Sequence, residues 1–264
     1  MSNIDNNIEN SHIDKLCLHH ADVDLGEWGK HKLWYVGAEK EFIDLIKETF
    51  SMQTYKEALS GDNMVIIDAG AYIGDTAFAF HKFAKKIYAI EPSKASFECM
   101  LRNIKELKLD KVIPINKGLW HTTGKQRLYI AANGDTGACI TPFSPGKKGF
   151  DIDVISMDDL FREYKLDHVD LLKMDIEGSE FAVLESKGFA KVVDKIDKII
   201  LEAHPFFIPG MMGARIWKIP YILDKYGFRC KVVNPDVNWN VRLVMVDGSV
   251  EHVPMRIFLA EREK

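Results

Sequence analysis

The sequence predicts an α/β domain with a seven-stranded, mostly parallel sheet and helices on both faces. Short apolar segments rich in β-branched residues alternate along the chain with amphipathic segments of helical period. Strands this apolar are typical of parallel sheets that helices cover on both faces. Two apolar segments near the end of the chain predict a final pair of strands, of which the last is antiparallel.

Composition narrows the class of protein. The 264 residues are 47% hydrophobic and 28% charged, which is typical of a globular protein and excludes a disordered or collagen-like chain. The net charge of -4 argues against a protein that binds nucleic acid by neutralising phosphates. Four widely spaced cysteines predict a reduced, cytoplasmic protein. No signal peptide is predicted, and no apolar run of about 18 residues predicts a membrane span.

Residues 1–62 are predicted to form an N-terminal extension that caps the substrate side. Within it, Phe42, Leu45 and Ile46 recur at helical spacing and predict a helix over 39–50. The main domain is predicted over 63–264, with Ser156 capping one helix and Gly188 closing another. Its core strands are predicted over 64–68, 87–91, 112–116, 169–175 and 198–203, and further helices over 75–85, 93–107, 180–187 and 215–226.

Two regions depart from the simple alternation of strands and helices. Segments 126–130 and 150–155 flank a loop with glycine and proline, and they predict a β-hairpin inserted over about 126–155. The final strands are predicted over 228–233 and 255–260. The segment of about 205–255 is expected to lie on the substrate side.

The turn after the first core strand carries the first functional signal. In open parallel sheets, ligands bind beyond the carboxyl ends of the strands. Gly70 permits an unusual backbone angle or close contact with a ligand, and Gly74 lets the next helix approach. Glu91 ends the next strand, 21 residues after Gly70, where an acid can accept both hydroxyls of a ribose. Together these residues predict a nucleoside ligand.

The chemistry of the same turn favours one nucleoside. Tyr72 occupies the position of the second glycine in a dinucleotide motif, which would admit a pyrophosphate. Asp68 and Asp75 flank the turn, and their carboxylates would repel a diphosphate but suit an amino group and a sulfonium. The electrostatics therefore favour S-adenosylmethionine over NAD.

A second group of polar residues follows the fourth and fifth core strands. Asp175 and Glu177 follow the fourth strand, and Glu202 and His204 end the fifth on the same face of the strand. These four are the candidate catalytic residues. Glu180 is interpreted as an acid that favours the positive start of its helix.

The sequence resembles the FkbM family of class I methyltransferases over about 64–204. The resemblance rests on VIIDAGAYIGDTA, on AIEPS followed by LRN, on VDLLKMDIEGSEFAVLES and on ILEAH. It implies methyl transfer, mostly to hydroxyls of sugars or natural products. It implies that Asp68, Gly70 and Gly74 hold the methionine end of S-adenosylmethionine, that Glu91 holds the ribose and that 118–120 lies at the adenine, with Trp120 in place of a short polar residue. The candidate cofactor-binding residues are Asp68, Gly70, Ala71, Tyr72, Gly74, Asp75, Thr76, Glu91, Pro92, Ser93, Gly118, Leu119, Trp120 and Asp175.

A hydroxyl acceptor needs help to lose its proton. A base with a pKa near neutrality or a divalent metal ion can supply that help. Because three oxygen and nitrogen ligands suit Mg²⁺ poorly, we favour a metal-free site with neutral His204 as the base, and Glu202 or Asp175 on its other ring nitrogen. A nicotinamide-dependent oxidoreductase and a non-catalytic binding protein on the same scaffold are the alternatives. The sequence specifies neither the small-molecule acceptor nor the oligomeric state.

Overall fold

A computed structural model describes residues 19–51, 54–131, 134–140, 149–204, 216–233, 240–244, 250–254 and 256–262. The strands in chain order are β1 (His19–Asp24), β2 (Lys30–Tyr35), β3 (Met64–Ala69), β4 (Ala84–Ile90), β5 (Val112–Ile115), β6 (Gly118–Leu119), β7 (Gly124–Ala131), β8 (Gly134–Cys139), β9 (Gly149–Ile155), β10 (Val169–Met174), β11 (Ile196–Ala203), β12 (Phe228–Val233), β13 (Asn240–Val244), β14 (Val250–Pro254) and β15 (Arg256–Arg262). The α-helices are α1 (Glu39–Ser51), α2 (Asp75–Phe80), α3 (Lys94–Glu106), α4 (Met157–Glu163), α5 (Glu180–Leu184), α6 (Lys187–Ala190) and α7 (Lys218–Asp224).

The central sheet has seven strands in the order β12-β15-β11-β10-β3-β4-β5. Strands β3, β4, β5, β10 and β11 pair in parallel, whereas β15 runs antiparallel to both of its neighbours. The predicted mostly parallel sheet with an antiparallel last strand is therefore confirmed. The strand order changes direction at β3 and β10, so the ends of these strands form the crevice where such sheets bind ligands.

Alternate residues of the strands face two separate cores. In β3, Ile66 belongs to a core with Phe80 of α2 and Met100 of α3. Ile67 belongs to the opposite core, which also contains Phe181 of α5. Both isoleucines are fully buried, as expected for strands with helices on both faces. The predicted layered arrangement is confirmed.

The N-terminal unit (residues 19–51) consists of β1, β2 and α1. Strands β1 and β2, which the sequence analysis did not identify, form an antiparallel hairpin, and α1 follows the predicted helix closely. Leu33 and Phe42 pack with Ile73, which lies in the turn after β3. The unit thus rests against one end of the main sheet. Its role as a substrate-side cap stays a prediction.

The inserted region is larger than the predicted hairpin. Strands β7 and β9 pair antiparallel, as predicted, but β6 and β8 join them in a four-stranded sheet of order β6-β9-β7-β8. Strand β6 pairs in parallel with β9 and lies directly after the core strand β5. The insert is therefore connected to the crevice through β6.

Three helix boundaries differ from the prediction. Helix α2 ends at Phe80 because β4 already begins at Ala84. The predicted helix over 180–187 is two short helices, and Gly188 lies inside α6 rather than closing a helix. The helix predicted over 215–226 is α7, which runs from Lys218 to Asp224. Pro220 therefore lies in the first turn, where no intrahelical N–H bond is required. Most of the predicted substrate-side segment of about 205–255 lies outside the described residues.

The cysteines differ from the expectation of a wholly reduced protein. Cys99, on α3, is disulfide-bonded, whereas Cys230 is a free thiol. The partner of Cys99 lies outside the side chains that the structure describes. In the described part of the chain, no helix has both the length and the apolar character needed to cross a membrane. The cytoplasmic location stays a prediction.

Candidate active site

A cavity of about 850 Å³ opens at the carboxyl ends of β3, β4 and β10. A smaller cavity of about 170 Å³ adjoins it beside β11. The two cavities share Tyr55, Lys173 and Asp175 as lining residues. Predicted site residues that line the larger cavity are Gly70, Tyr72, Asp75, Thr76, Glu91, Pro92, Gly118, Leu119, Asp175 and Glu177.

Gly70 is required by the packing of the turn. Its φ of +76° lies in the left-handed region, and an added Cβ would stand 1.7 Å from the carbonyl oxygen of Asp175. The N–H groups of Gly70 and Ala71 both donate to the carbonyl of Ile90. The turn is thereby fixed to the ends of both neighbouring strands. Ala71 is fully buried and does not line the cavity.

Glu91 is held by two backbone amides. Its Oε2 accepts from the N–H of Tyr72 at 2.9 Å, and its Oε1 accepts from the N–H of Ser93 at 2.7 Å. Tyr72 has a positive φ of 46°, which aims its N–H at this carboxylate. Ser93 also caps α3 and does not line the cavity. The carboxylate is therefore fixed in orientation, with only 7% of the residue exposed.

Asp68 does not line the cavity, although the sequence predicts that it contacts the cofactor. It is fully buried, accepts a hydrogen bond from the Thr76 hydroxyl at 2.6 Å and pairs with Lys173 Nζ at 3.2 Å. Lys173 also donates to the carbonyl of Gly70 at 2.8 Å. Burial opposes charge on this amine, but the carboxylates of Asp68 and Asp175 raise its pKa, so Lys173 stays charged. Asp68 therefore acts on the turn through Lys173.

Asp75 presents a buried carboxylate to the cavity. Its Oδ2 accepts from the hydroxyl of Thr49 at 2.7 Å. Burial raises the pKa of Asp75 to about 6, while the Thr49 hydrogen bond and the charge of Lys173 oppose the rise. The group is therefore mostly ionised at neutral pH. Gly74 is the N-cap residue of α2, directly before Asp75. Its φ of +83° lies in the left-handed region, and it packs on Met100.

The far end of the larger cavity is apolar. Gly118 and Leu119 of β6 line it together with Leu128 of β7 and Ile90 of β4. Trp120 follows β6 but packs on the small core of the insert instead of lining the cavity. This end offers a flat ring an apolar environment, and the position of the adenine here stays a prediction.

The structure fits S-adenosylmethionine. Two backbone N–H groups fix the carboxylate of Glu91, which would accept the ribose hydroxyls, and Gly118 and Leu119 line the apolar end, which would receive the base. Asp75 and Asp175 line the part of the cavity beside Lys173, where carboxylates favour an ammonium and a sulfonium group. When bound there, this cofactor supplies an activated methyl group.

His204 stands at the centre of an acidic cluster at the ends of β10 and β11. Its Nδ1 lies 3.0 Å from Glu180 Oε1. Its Nε2 lies 3.6 Å from Glu177 Oε2, 3.7 Å from Glu202 Oε1 and 3.8 Å from Asp175 Oδ1. The prediction placed Glu202 or Asp175 on the second ring nitrogen, whereas Glu180 binds it. All four predicted catalytic residues do meet in one cluster.

The charges of this cluster differ from the prediction of a neutral imidazole. Burial opposes the charged form of His204, but the carboxylates of Glu177, Glu180 and Glu202 raise its pKa well above the usual value. Burial raises the pKa of Glu177 to about 7, and the charge of His204 opposes that rise. Burial and Asp175 raise the pKa of Glu202 well above its usual value. His204 is therefore an imidazolium in the metal-free protein.

Glu180 has a role that the sequence interpretation missed. Besides His204, its Oε1 accepts from the N–H groups of Ile176 and Gly178 at 3.3 and 3.2 Å. The residue is fully buried at the start of α5. It thus fixes both the imidazole ring and the turn that carries Glu177, whose φ is +51°. The position of Glu180 at the start of a helix does not predict its contact with His204.

Two other groups of residues were missed. Leu45, Thr49 and Tyr55 line the larger cavity from the N-terminal side, and no sequence pattern indicated this. Lys173 could have been found, because a lysine inside the otherwise apolar strand β10 requires a buried partner.

The cluster also has the donor set of a metal site. Asp175, Glu202 and His204 offer ligand atoms that all lie within 4.8 Å of one another. Carboxylate and imidazole donors bind divalent ions such as Mn²⁺ or Zn²⁺, and the carboxylate of Glu180 would orient the histidine from behind.

One family model and several known proteins match this chain. The model of the methyltransferase FkbM domain matches residues 68–230. Methyltransferase sdnD of Sordaria araneosa is 28% identical over 179 residues, which cover 56% of this chain and 68% of that protein. Hexuronic acid methyltransferase AglP of Haloferax volcanii is 29% identical over 143 residues, 53% of this chain and 56% of that protein. The crystal structure of an FkbM methyltransferase from Methylobacillus flagellatus KT has a TM-score of 0.47 at 17% identity, over 76% of this chain and 44% of that one.

Fold, site and comparisons define a class I methyltransferase that uses S-adenosylmethionine. Since the family model matches more than half of its residues, the chain belongs to the FkbM methyltransferase family. The predicted family and methyltransferase function are confirmed, and the oxidoreductase alternative is set aside. The chain spans little more than half the length of AglP.

Proposed function

We propose that this enzyme transfers a methyl group from S-adenosylmethionine to a hydroxyl of a sugar or another small natural product. The observation that carries the proposal is the junction of the two cavities. Asp175 lines both of them and lies 3.8 Å from the imidazole of His204. A proton-accepting cluster thus adjoins the expected position of the methyl group. An amine acceptor would not need such a cluster, because a neutral amine is already nucleophilic.

The proposed division of roles follows from exposure and charge. Glu177 lines the larger cavity and has a pKa of about 7, so we assign it the proton of the acceptor hydroxyl. His204, as a buried cation, stabilises the charge of the surrounding carboxylates and of the developing alkoxide. Asp175 and Glu202 orient the hydroxyl from either side of the junction. The acceptor oxygen then forms its bond to the methyl carbon as the carbon–sulfur bond breaks.

The relatives support a small-molecule acceptor. The name of AglP states a hexuronic acid as its substrate. For this chain, the acidic cluster favours a neutral hydroxyl-bearing molecule, since an acceptor carboxylate beside Glu177 and Glu202 would be repelled. Neutral sugars are accordingly the first acceptors to test.

A divalent ion is the second candidate for activating the hydroxyl. The three donor atoms of Asp175, Glu202 and His204 favour it, because a bound cation would replace the proton on His204 and lower the pKa of the hydroxyl. The two routes differ in their requirement for metal.

One assay distinguishes these candidates. The enzyme is incubated with S-adenosylmethionine and separate panels of neutral sugars, hexuronic acids and phenolic natural products, and S-adenosylhomocysteine is quantified with the methylated product. Activity that persists in EDTA supports the route through Glu177. Activity lost in EDTA and restored by Mg²⁺ or Mn²⁺ supports the metal route. Binding of S-adenosylhomocysteine without turnover of any acceptor would favour the non-catalytic alternative, and methylation of amines alone would contradict the proposal.

A further inference from the structure

Three hydrogen-bonded ties join the N-terminal unit to the turn over residues 70–75. The hydroxyl of Tyr72 donates to the carbonyl of Val36 at 2.8 Å. The hydroxyl of Thr49 donates to Asp75 at 2.7 Å. These first two ties each join a residue before the matched family domain, which begins at residue 68, to a side chain that lines the larger cavity.

Asn103 makes the third tie through its side-chain amide. Its Oδ1 accepts from the N–H of Trp34 at 2.7 Å, and its Nδ2 donates to the carbonyl of Trp34 at 3.0 Å. The same Nδ2 donates to the carbonyl of Ile73 at 2.9 Å. Asn103 is buried on α3. It therefore bridges strand β2 of the N-terminal unit and the middle of the turn.

The turn needs this support because its conformation is strained. Tyr72 has a positive φ of 46°, and left-handed backbone at a non-glycine residue persists only where surrounding contacts hold it. The same conformation aims the Tyr72 N–H at Glu91. Loss of the Val36 contact would therefore loosen the carboxylate expected to hold the ribose.

We infer that the N-terminal unit is part of the cofactor site, and that Thr49 positions the Asp75 carboxylate to receive the α-ammonium group of the cofactor. This inference rests on the proposed function, because it assigns Asp75 to the methionine end of S-adenosylmethionine. Thr49 is a positioning residue in this account, since it acts through Asp75. A unit that served only to cover the acceptor would not need hydrogen bonds to the turn over residues 70–75, whereas the N-terminal unit is connected to this turn at three places.

Charged groups on three neighbouring elements act on Asp75. Lys173 of β10 and Asp68 of β3 act on its carboxylate from the sheet. Glu48 of α1 is a further acid, and the charge of Asp75 raises its pKa. The charge of Asp75 also contributes to the raised pKa of the Tyr55 phenol. Among these groups, Thr49 is a neutral donor that stabilises the ionised carboxylate. Removing its hydroxyl should therefore move the pH dependence of cofactor binding to higher pH.

The test uses S-adenosylhomocysteine, which carries the same α-ammonium group, and isothermal titration calorimetry between pH 5 and 8. Thr49→Val should weaken binding about three- to tenfold, less than the full value of a hydrogen bond to a charged group, because Thr49 acts on the cofactor only through Asp75, and it should move the pH midpoint upward. Thr49→Ser retains the hydroxyl and should restore both properties. Ser51→Ala is the matched control on the same helix, because its exposed hydroxyl bonds only the local carbonyl of Glu48 in the described contacts.

The outcomes separate the inference from the proposed function. If Thr49→Val and Ser51→Ala both bind S-adenosylhomocysteine like the wild-type protein, with the same pH midpoint, the inference is wrong and the proposed function stands. If the wild-type protein binds no S-adenosylhomocysteine, both are wrong. If Thr49→Val does not fold, Tyr72→Phe decides. It should weaken binding by about threefold or more through the lost Val36 contact, and unchanged binding there would overturn the inference.

Discussion

The two halves of the site treat buried charge in different ways. In the cofactor half, at the ends of β3 and β4, Glu91 accepts from two backbone amides and Asp68 pairs with Lys173. In the acceptor half, at the ends of β10 and β11, four carboxylates surround the single imidazolium of His204.

The difference supports the proposed division of the site into a cofactor half and an acceptor half. Backbone amides do not titrate, so the carboxylate of Glu91 keeps one orientation over the physiological pH range, and Asp75, with a pKa of about 6, is mostly ionised at neutral pH. The acceptor half contains Glu177, with a pKa of about 7, and Glu202, with a raised pKa, so its protonation changes near neutrality. A rigid binding region thus adjoins a region that can exchange protons or take up a cation.

The largest effect is expected from Gly70→Ala in the cofactor half. The new Cβ would collide with the carbonyl of Asp175 at a backbone angle that disfavours alanine. We expect a loss of about 3 kcal/mol or more in the free energy of unfolding, together with loss of S-adenosylhomocysteine binding. Urea denaturation and calorimetry measure the two effects. Wild-type stability in this variant would show that the turn is not rigid.

The next largest effect is expected from His204→Ala in the acceptor half. Removal of the cation leaves its carboxylate neighbours uncompensated, and the kcat should fall by about 100-fold or more while S-adenosylhomocysteine affinity changes little. The control is His168→Ala, because His168 directly precedes β10, at the opposite end of the strand from the cluster. Recovery of full kcat at high acceptor concentration would mean that His204 only binds the acceptor.

A smaller effect is expected from Glu91→Ala. The variant loses charge-assisted hydrogen bonds to the ribose, which are worth about 1.5–3 kcal/mol, so the Kd for S-adenosylhomocysteine should rise by roughly 10- to 150-fold. Calorimetry at constant pH measures it. An unchanged affinity would place the ribose away from Glu91 and weaken the contrast between the two halves.

The smallest effect is a change in the pH dependence of stability in Glu177→Gln. Because the folded protein raises the pKa of Glu177 from 4.5 to about 7, the folded state binds this proton more tightly than the unfolded state does. The group therefore opposes folding increasingly as the pH rises through this interval. The variant should lose less unfolding free energy between pH 5 and 8 than the wild-type protein, and Glu185→Gln, outside the cluster, should not. Identical pH profiles for Glu177→Gln and the wild-type protein would indicate an ordinary surface carboxylate.

The cofactor half was largely predictable because its signals are local. Gly70 and Tyr72 are set by one turn, and Glu91 follows from the length of one strand–helix–strand unit. For the acceptor half, the sequence predicted which residues belong to the site but not how they interact. Strand ends identified Asp175, Glu177, Glu202 and His204, but not their charges, because those charges depend on how many carboxylates meet.

The sequence by itself determined the sheet, the family and the position of the site, since hydrophobic period and motif spacing are properties of neighbouring residues. Tertiary structure decided the rest. It paired Asp68 with Lys173, placed Glu180 on His204, and brought Thr49 to Asp75. Each contact joins residues on different elements, and burial then sets the charge that each group carries. The identity of each partner cannot be read from the order of residues along the chain, because the two residues of each contact are far apart in sequence.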